Sequence, residues 1–190
     1  MTAILRLCLF ILFLGGSAGA ALAGSDTDTI ALFKAAGQSS RYFTTCYGYA
    51  VFPNIGKAGF VIGGARGEGH VYADGKRIGA TTMNQLSVGL QLGGVDYAEI
   101  IFFQDKRALD EFTSGNFEFD ANVSATVITA SASASAGTTG AQASASGGQH
   151  DATTEGKYFK GMSVFTVAKG GLMYEASLAG QKFSYTPLRQ

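Results

Sequence analysis

Between Cys46 and Tyr72 the chain reads CYGYAVFPNIGKAGFVIGGARGEGHVY, short β-branched and aromatic stretches cut by glycine every few residues. Such side chains suit a pleated, half-buried surface, whereas glycine inside a strand marks a bulge, a bend or the close approach of another backbone. Gly56, Gly59, Gly63, Gly64, Gly67 and Gly69 therefore predict strands in a strongly curved sheet. Strand signals fall at 49–52, 59–63, 70–73, 85–92 and 99–103, and Asp74-Gly75 supplies a hairpin turn.

Helical signals are few. Residues 26–45 open with the cap oxygens and charge of Asp26, Thr27 and Asp28, carry Ile30, Leu32 and Phe33 as an apolar side, and are interrupted at Gly37. DKRALDEF, residues 105–112, reads as a short helix with Asp105 as N-cap and Gly115 soon after its end. From 122 to 150 the composition turns to Ser, Ala, Thr and Gly. That bias suits a flexible linker, but the strict Ser/Ala alternation after VSATVITA has period two and fits two paired strands with a turn at TTGAQ. The last block, from Gly161 onward, places strands on both sides of a Lys169-Gly170-Gly171 turn. The fold class expected is α+β: a sheet-rich single domain with a curved antiparallel sheet or partial barrel and a few short helices.

Residues 1–23 hold one early positive charge at Arg6, an apolar run over 7–14, and small residues ending in Ala21-Leu22-Ala23. This is the pattern of a cleaved secretory signal, and the apolar run is shorter than the roughly 20 residues a membrane span needs. A periplasmic or secreted domain over residues 24–190 is the expectation. Fourteen Lys and Arg balance fourteen Asp and Glu, with no long basic run, which argues against nucleic acid as a partner. Removal of the leader leaves Cys46 as the one cysteine, so no internal disulfide is available to the exported form.

The chemistry-bearing residues are sparse. His70 and His150 are the only histidines, no HExxH or CxxC spacing occurs, and neither a metal nor another cofactor is expected. His70 reads as a strand residue, His150 as a solvated loop residue, and Cys46 as a small buried hydrophobe. Cys46, His70 and Asp74 share one block but nothing in their spacing sets a nucleophile against a base. The glycine-rich stretch 63–69 lacks phosphate-loop spacing and no helical pattern follows it. No GxSxG elbow is present, and no catalysis is expected.

YGYAVFP, KAGFVIGGARGEGHVY, LSVGLQLGG and VFTVAKGGLMYEASLAGQKF resemble the successive blocks of the SYLF lipid-binding domain, in the family's order and over nearly all of the chain after the leader. The resemblance implies a non-catalytic domain that binds an anionic lipid or membrane surface through an amphipathic amino-terminal segment and basic surface groups. It also favours the paired-strand reading of the Ser/Ala segment. On this chain the lipid-binding candidates are Ile30, Leu32, Phe33 and Lys34 in the first helical segment, and Lys57, Arg66, Lys76 and Arg77 in the glycine-rich turns. The same apolar stripe also suits a helix that caps its own core. A structural or protein-interaction module of the cell envelope, with an envelope protein as partner, is the alternative.

Overall fold

The computed structural model describes residues 25–59, 62–88, 93–119, 125–128, 157–169 and 178–189. The leader, His150, the Lys169-Gly170-Gly171 turn beyond its first residue and most of the Ser/Ala segment lie outside them.

Ser25 starts the helical layer, its Oγ accepting from the Asp28 amide at 3.1 Å. The cap thus sits one residue before the acids that the sequence suggests, and Asp26 and Asp28 occupy the first turn, where negative charge meets the positive end of the helix. Helices α1 (Asp26–Ala35), α2 (Gly37–Ser40) and α3 (Tyr42–Thr45) follow. Thr29, Phe33 and Ala36 recur at helical spacing and are buried. Ser39 Oγ donates to the Phe33 carbonyl and tightens the corner after α1.

Strands β1 (Gly48–Gly59), β2 (Ile62–Ala73), β3 (Lys76–Val88) and β4 (Gly93–Phe103) are long. The stretch 59–63, read as a strand of its own, is instead divided between the end of β1 and the start of β2. Then come α4 (Lys106–Phe112), β5 (Phe117–Glu118), β6 (Thr126–Ile128), β7 (Met162–Ala168) and β8 (Gln181–Pro187). Asp105 caps α4 as expected, its Oδ1 accepting from the Ala108 amide at 2.9 Å. The eight strands of the described residues form one sheet in the order β5-β8-β3-β2-β1-β4-β7-β6. Among the described residues every strand pairing is antiparallel except β6 with β7, which run parallel. The sheet so outweighs the short helices that the sheet-rich part of the expectation holds and the α+β label fits only loosely.

The curvature can be read from one hydrogen bond. Strands β8 and β4 are separated by β3, β2 and β1, which on a flat sheet would put them roughly 19 Å apart. Gln181 Nε2 on β8 nevertheless donates to Glu99 Oε2 on β4 at 3.2 Å, so the sheet curls until its concave face closes on itself. The rings of Phe52 on β1 and Phe183 on β8 meet across the same interior, 5.7 Å between centroids. Two features of β1 and β2 permit the curl. The register shifts between Val51 and Asn54, so Phe52 and Pro53 together oppose one residue of β2, and a proline that cannot donate to the ladder sits in this bulge. Opposite it, a Cβ on Gly69 would lie 2.6 Å from Phe52 Cδ1, and one on Gly67 would lie 2.5 Å from Ile55 Cγ1. These two glycines give up their side chains to the large hydrophobes of β1.

Alternation along β4 divides the core in two. Ile101 and Phe103 face the concave interior with Phe52, Ile55, Met83 and Phe183, and α4 closes that interior with Leu109 and Phe112. Ala98, Ile100 and Phe102 face the other way, where α1–α3 cover them with Phe33, Ala36 and Tyr42. Tyr42 stacks on Phe102 at 5.3 Å, and Phe43 meets the same ring edge-on at 4.9 Å.

Candidate functional site

The register assigns each cation to an end and a face of the sheet. The β1–β2 and β3–β4 connections lie at one end, which β7 reaches with Ala168 and from which β8 departs with Gln181; we call it the hairpin end. The Asp74-Gly75 turn and α4 lie at the other. Lys57 pairs with Ala65, a concave-core residue, so its side chain stands on the concave side near the hairpin end. Arg66 pairs with Gly56 and Asn84 on the convex side, exposed, with its Nη1 donating to Asn84 Oδ1 at 2.9 Å. The two therefore straddle the β1–β2 hairpin. Lys76 and Arg77 begin β3 at the opposite end. From Arg77 to Asn84 the strand rises about 3.3 Å per residue, roughly 23 Å in all, so the four cations form two pairs and no single cluster.

Two further lysines, which sequence reading did not single out, join the hairpin end. Lys182 pairs with Asn84 in register and forms an ion pair with Glu118 at 3.3 Å. Lys169 follows β7 and makes no ion pair among the described residues, and the same is true of Lys57. The exposed carboxylates in this region are Asp96, in register with Gly56, Glu68, one side-chain step from Arg66 along β2, and Glu118, the partner of Lys182. Leu86, near the end of β3, is 72% exposed.

The stripe on α1 has a different fate. Phe33 is wholly buried against the convex face, Leu32 packs beside it, Ile30 is half-buried, and Lys34 is exposed with its Nζ 5.3 Å from the centre of the Phe43 ring. The helix is fastened to the sheet at its first residue. Asp26 Oδ2 accepts from Tyr72 OH at 2.6 Å and from His70 Nδ1 at 2.6 Å, and Tyr49 stacks on Tyr72 at 5.1 Å. Burial, and then the Asp26 carboxylate, push the Tyr72 phenol well above its ordinary range. His70 is thus a strand residue, as expected, whose Nδ1 is engaged by a carboxylate other than Asp74. Cys46 is half-buried beside the aromatic layer, and burial pushes its thiol up, the opposite of what an activated nucleophile needs. Among the described residues no group of three His, Cys, Asp or Glu side chains could hold a metal ion.

The concave interior holds the residue that sequence reading missed. Glu99 is completely buried, and burial pushes its carboxyl up to about 8, with the Gln181 hydrogen bond opposing the shift. It is therefore a neutral acid at neutral pH. Burial and the nearby Glu99 raise the Tyr97 phenol in turn. Among the described residues Glu99 Oε1 and Gln181 Oε1 have no hydrogen-bond partner. The signal was present in YAEIIFF: Glu99 has the same alternation parity as Tyr97, Ile101 and Phe103, which places an acid on an inward-facing row.

The chain is similar in sequence to known proteins. The family described as "Las17-binding protein actin regulator", Ysc84, matches residues 84–186, which run from the end of β3 through β8. Beta cell expansion factor A of Aeromonas veronii is 28% identical over 161 residues, covering 84% of this chain and 53% of that protein. The chain thus spans about half the length of this curated relative. The family match covers more than half of the chain and takes in the strands that wrap and close the half-barrel. This chain belongs to the Ysc84 family, the SYLF domain family that its glycine-cut strands resemble.

Proposed function

We propose that this chain is an exported, non-catalytic domain that binds an anionic lipid surface in the cell envelope. The observation that carries the reading is the hairpin end. Lys57, Arg66 and Lys169 lie there with Asp96 and Glu68, on a chain whose total charge is zero, beside a leucine that is largely exposed. Cations with adjacent apolar area are what an interfacial contact with acidic lipid requires. Family membership supports a binding role over catalysis, and the raised Cys46 thiol and the engaged His70 offer no activated nucleophile. Export rests on the leader: Arg6, the apolar run over 7–14 and Ala21-Leu22-Ala23. No helix among the described residues is long and apolar enough to cross a membrane.

The second reading is an envelope protein-interaction module, favoured by the family's description as a Las17-binding protein. The actin-regulatory role does not accompany it, because an exported domain does not meet cytosolic actin. Flotation with vesicles separates the two readings. Recovery with phosphatidylglycerol-containing vesicles but not with pure phosphatidylcholine is expected, and recovery with neither would leave the protein-partner reading in place.

A further inference from the structure

Side chains, and not the backbone ladder, close the concave interior. The sheet ends at β5 and β6, and among the described residues no strand pairing joins those two edges. Where β8 meets β4 across the interior, Gln181 makes the polar contact. Its Nε2 donates to Glu99 Oε2 at 3.2 Å, and its amide also lies against the Tyr97 phenol. We infer that Glu99 and Gln181 form a proton-held catch on this seam, and that loss of the Glu99 proton frees the start of β8 from β4 while the rest of the sheet stays folded.

The catch is under-satisfied where it stands. Among the described residues Glu99 Oε1 and Gln181 Oε1 have no hydrogen-bond partner, and with the two residues 0% and 1% exposed, water does not reach them. Opening the seam hydrates both oxygens, so the closed form sets one amide-to-acid bond against two solvated groups. That balance holds only while the acid is neutral. An anion in so dry a place needs several donors, and what Glu99 has is the Gln181 amide. No charge stands beside it to compensate, among the described residues. Glu99 is faced by Tyr97 on its own strand, Phe52 in register on β1, Thr166 in register on β7 and Gln181 on β8, while β3 brings Gln85 beside Gln181 and α4 closes the interior with apolar residues. Lys57, the cation that the register puts on the concave side of β1, pairs with Val95, four residues along β4 and roughly 13 Å away.

The direction of the response follows from the proton. Released from burial, the carboxyl returns from about 8 toward its ordinary 4.5, so between those pH values the closed form holds a proton that the open form has lost. The ratio of open to closed seam therefore rises about tenfold per pH unit across the window and levels off above about 8. Tyr97, whose phenol is also raised, stays neutral throughout. The apolar contacts across the interior, such as Phe52 with Phe183, carry no proton and keep the rest of the sheet together.

Global unfolding carries the same proton dependence, so local release has to be told apart from it. Amide hydrogen exchange of the full chain at pH 5, 6 and 7, with and without low urea and with each rate corrected for intrinsic exchange, does so. Amides at the start of β8 should lose protection by on the order of 100-fold from pH 5 to pH 7, and should hardly respond to low urea, because a local opening exposes little surface. Amides in the middle of β1 and β2, released by global unfolding, should be more strongly protected at each pH and should respond to urea. Glu99→Gln keeps the shape of the side chain and offers Gln181 Oε1 a second amide donor, and should reduce the pH dependence at β8 to less than about threefold. Amides of β8 that match those of β1 and β2 in both protection and urea response would overturn the catch, since the strand would then leave only with the whole fold. A β8 opening without pH dependence would overturn it too, as would one that keeps the wild-type pH dependence in Glu99→Gln. The wild-type arms decide the question even if that variant does not fold.

Discussion

The helix-covered face of the sheet and its hairpin end both set apolar side chains near a cation, and the structure treats them oppositely. Both carry apolar residues beside a cation: Leu32, Phe33 and Lys34 on α1, and Leu86 beside Arg66 at the hairpin end. On α1 the apolar residues turn inward, Phe33 reaching zero exposure against Phe102 and Phe165, and Lys34 lies over an aromatic ring. At the hairpin end the leucine stays in solvent and the arginine is held by a neutral amide. An amphipathic stripe next to a sheet face is consumed by that face, because burying it there removes apolar area from water without any partner. Functional exposure is left to positions where the sheet runs out.

The sharpest way to break this contrast is to truncate the buried stripe. Phe33→Ala should cost about 3–5 kcal/mol in chemical denaturation, the usual range for emptying a large aromatic site. The fraction that remains folded should bind acidic vesicles as the wild type does. A small stability loss with a large binding loss would mean that Phe33 serves lipid after all.

Glu99 sharpens the other side, because Gln181 begins β8 at the hairpin end and reaches across the interior to it. The folded carboxyl titrates near 8 and its ordinary value is 4.5, so between those two pH values the unfolded chain has lost the proton that the folded chain keeps. The native state binds the extra proton, and stability therefore falls as pH rises from about 4.5 to about 8 and levels off above that. The loss across the window should amount to a few kcal/mol, one pKa unit being worth about 1.4 kcal/mol. Urea denaturation at pH 5, 7 and 9 should show this slope in the wild type and much less of it in Glu99→Gln. A wild type whose stability rises over the same range would contradict the neutral-acid assignment.

A smaller effect is expected at the clasp on α1. Asp26→Ala removes the acceptor shared by Tyr72 and His70, and should cost about 1–2 kcal/mol, as partly solvated hydrogen bonds to a charged group do. Hydrogen exchange should quicken in α1 before the strands are affected.

How much of this was legible in the sequence follows from which interactions are local. The Asp105 cap and the Asp74-Gly75 turn each depend on residues a few positions apart and are where the pattern places them, whereas the glycine-cut stretch 59–63, read as one strand, is divided between β1 and β2. Curvature was legible from glycine, but the cause is specific: Gly67 and Gly69 yield to Ile55 and Phe52 on the neighbouring strand. What could not be read is long-range. The Gln181–Glu99 contact spans 82 positions and the Tyr72–Asp26 contact 46, and neither follows from periodicity. The division of the four cations into two pairs depends on register, since Lys57 and Lys76 are close in sequence yet lie at opposite ends once β2 has run the length of the sheet. The parallel pairing of β6 with β7 was likewise hidden, because the alternation around Thr126 favours a strand without naming its neighbour.

The most direct test of the account is amide hydrogen exchange of the full chain with and without phosphatidylglycerol-containing vesicles. Lipid contact of the intact domain through its hairpin end predicts that amides at that end of β1, β2 and β3 become slower to exchange on vesicle binding, while those of α1 keep their protection. Loss or gain of protection confined to α1, with the hairpin end unchanged, would contradict it and return the amino-terminal helix to the membrane.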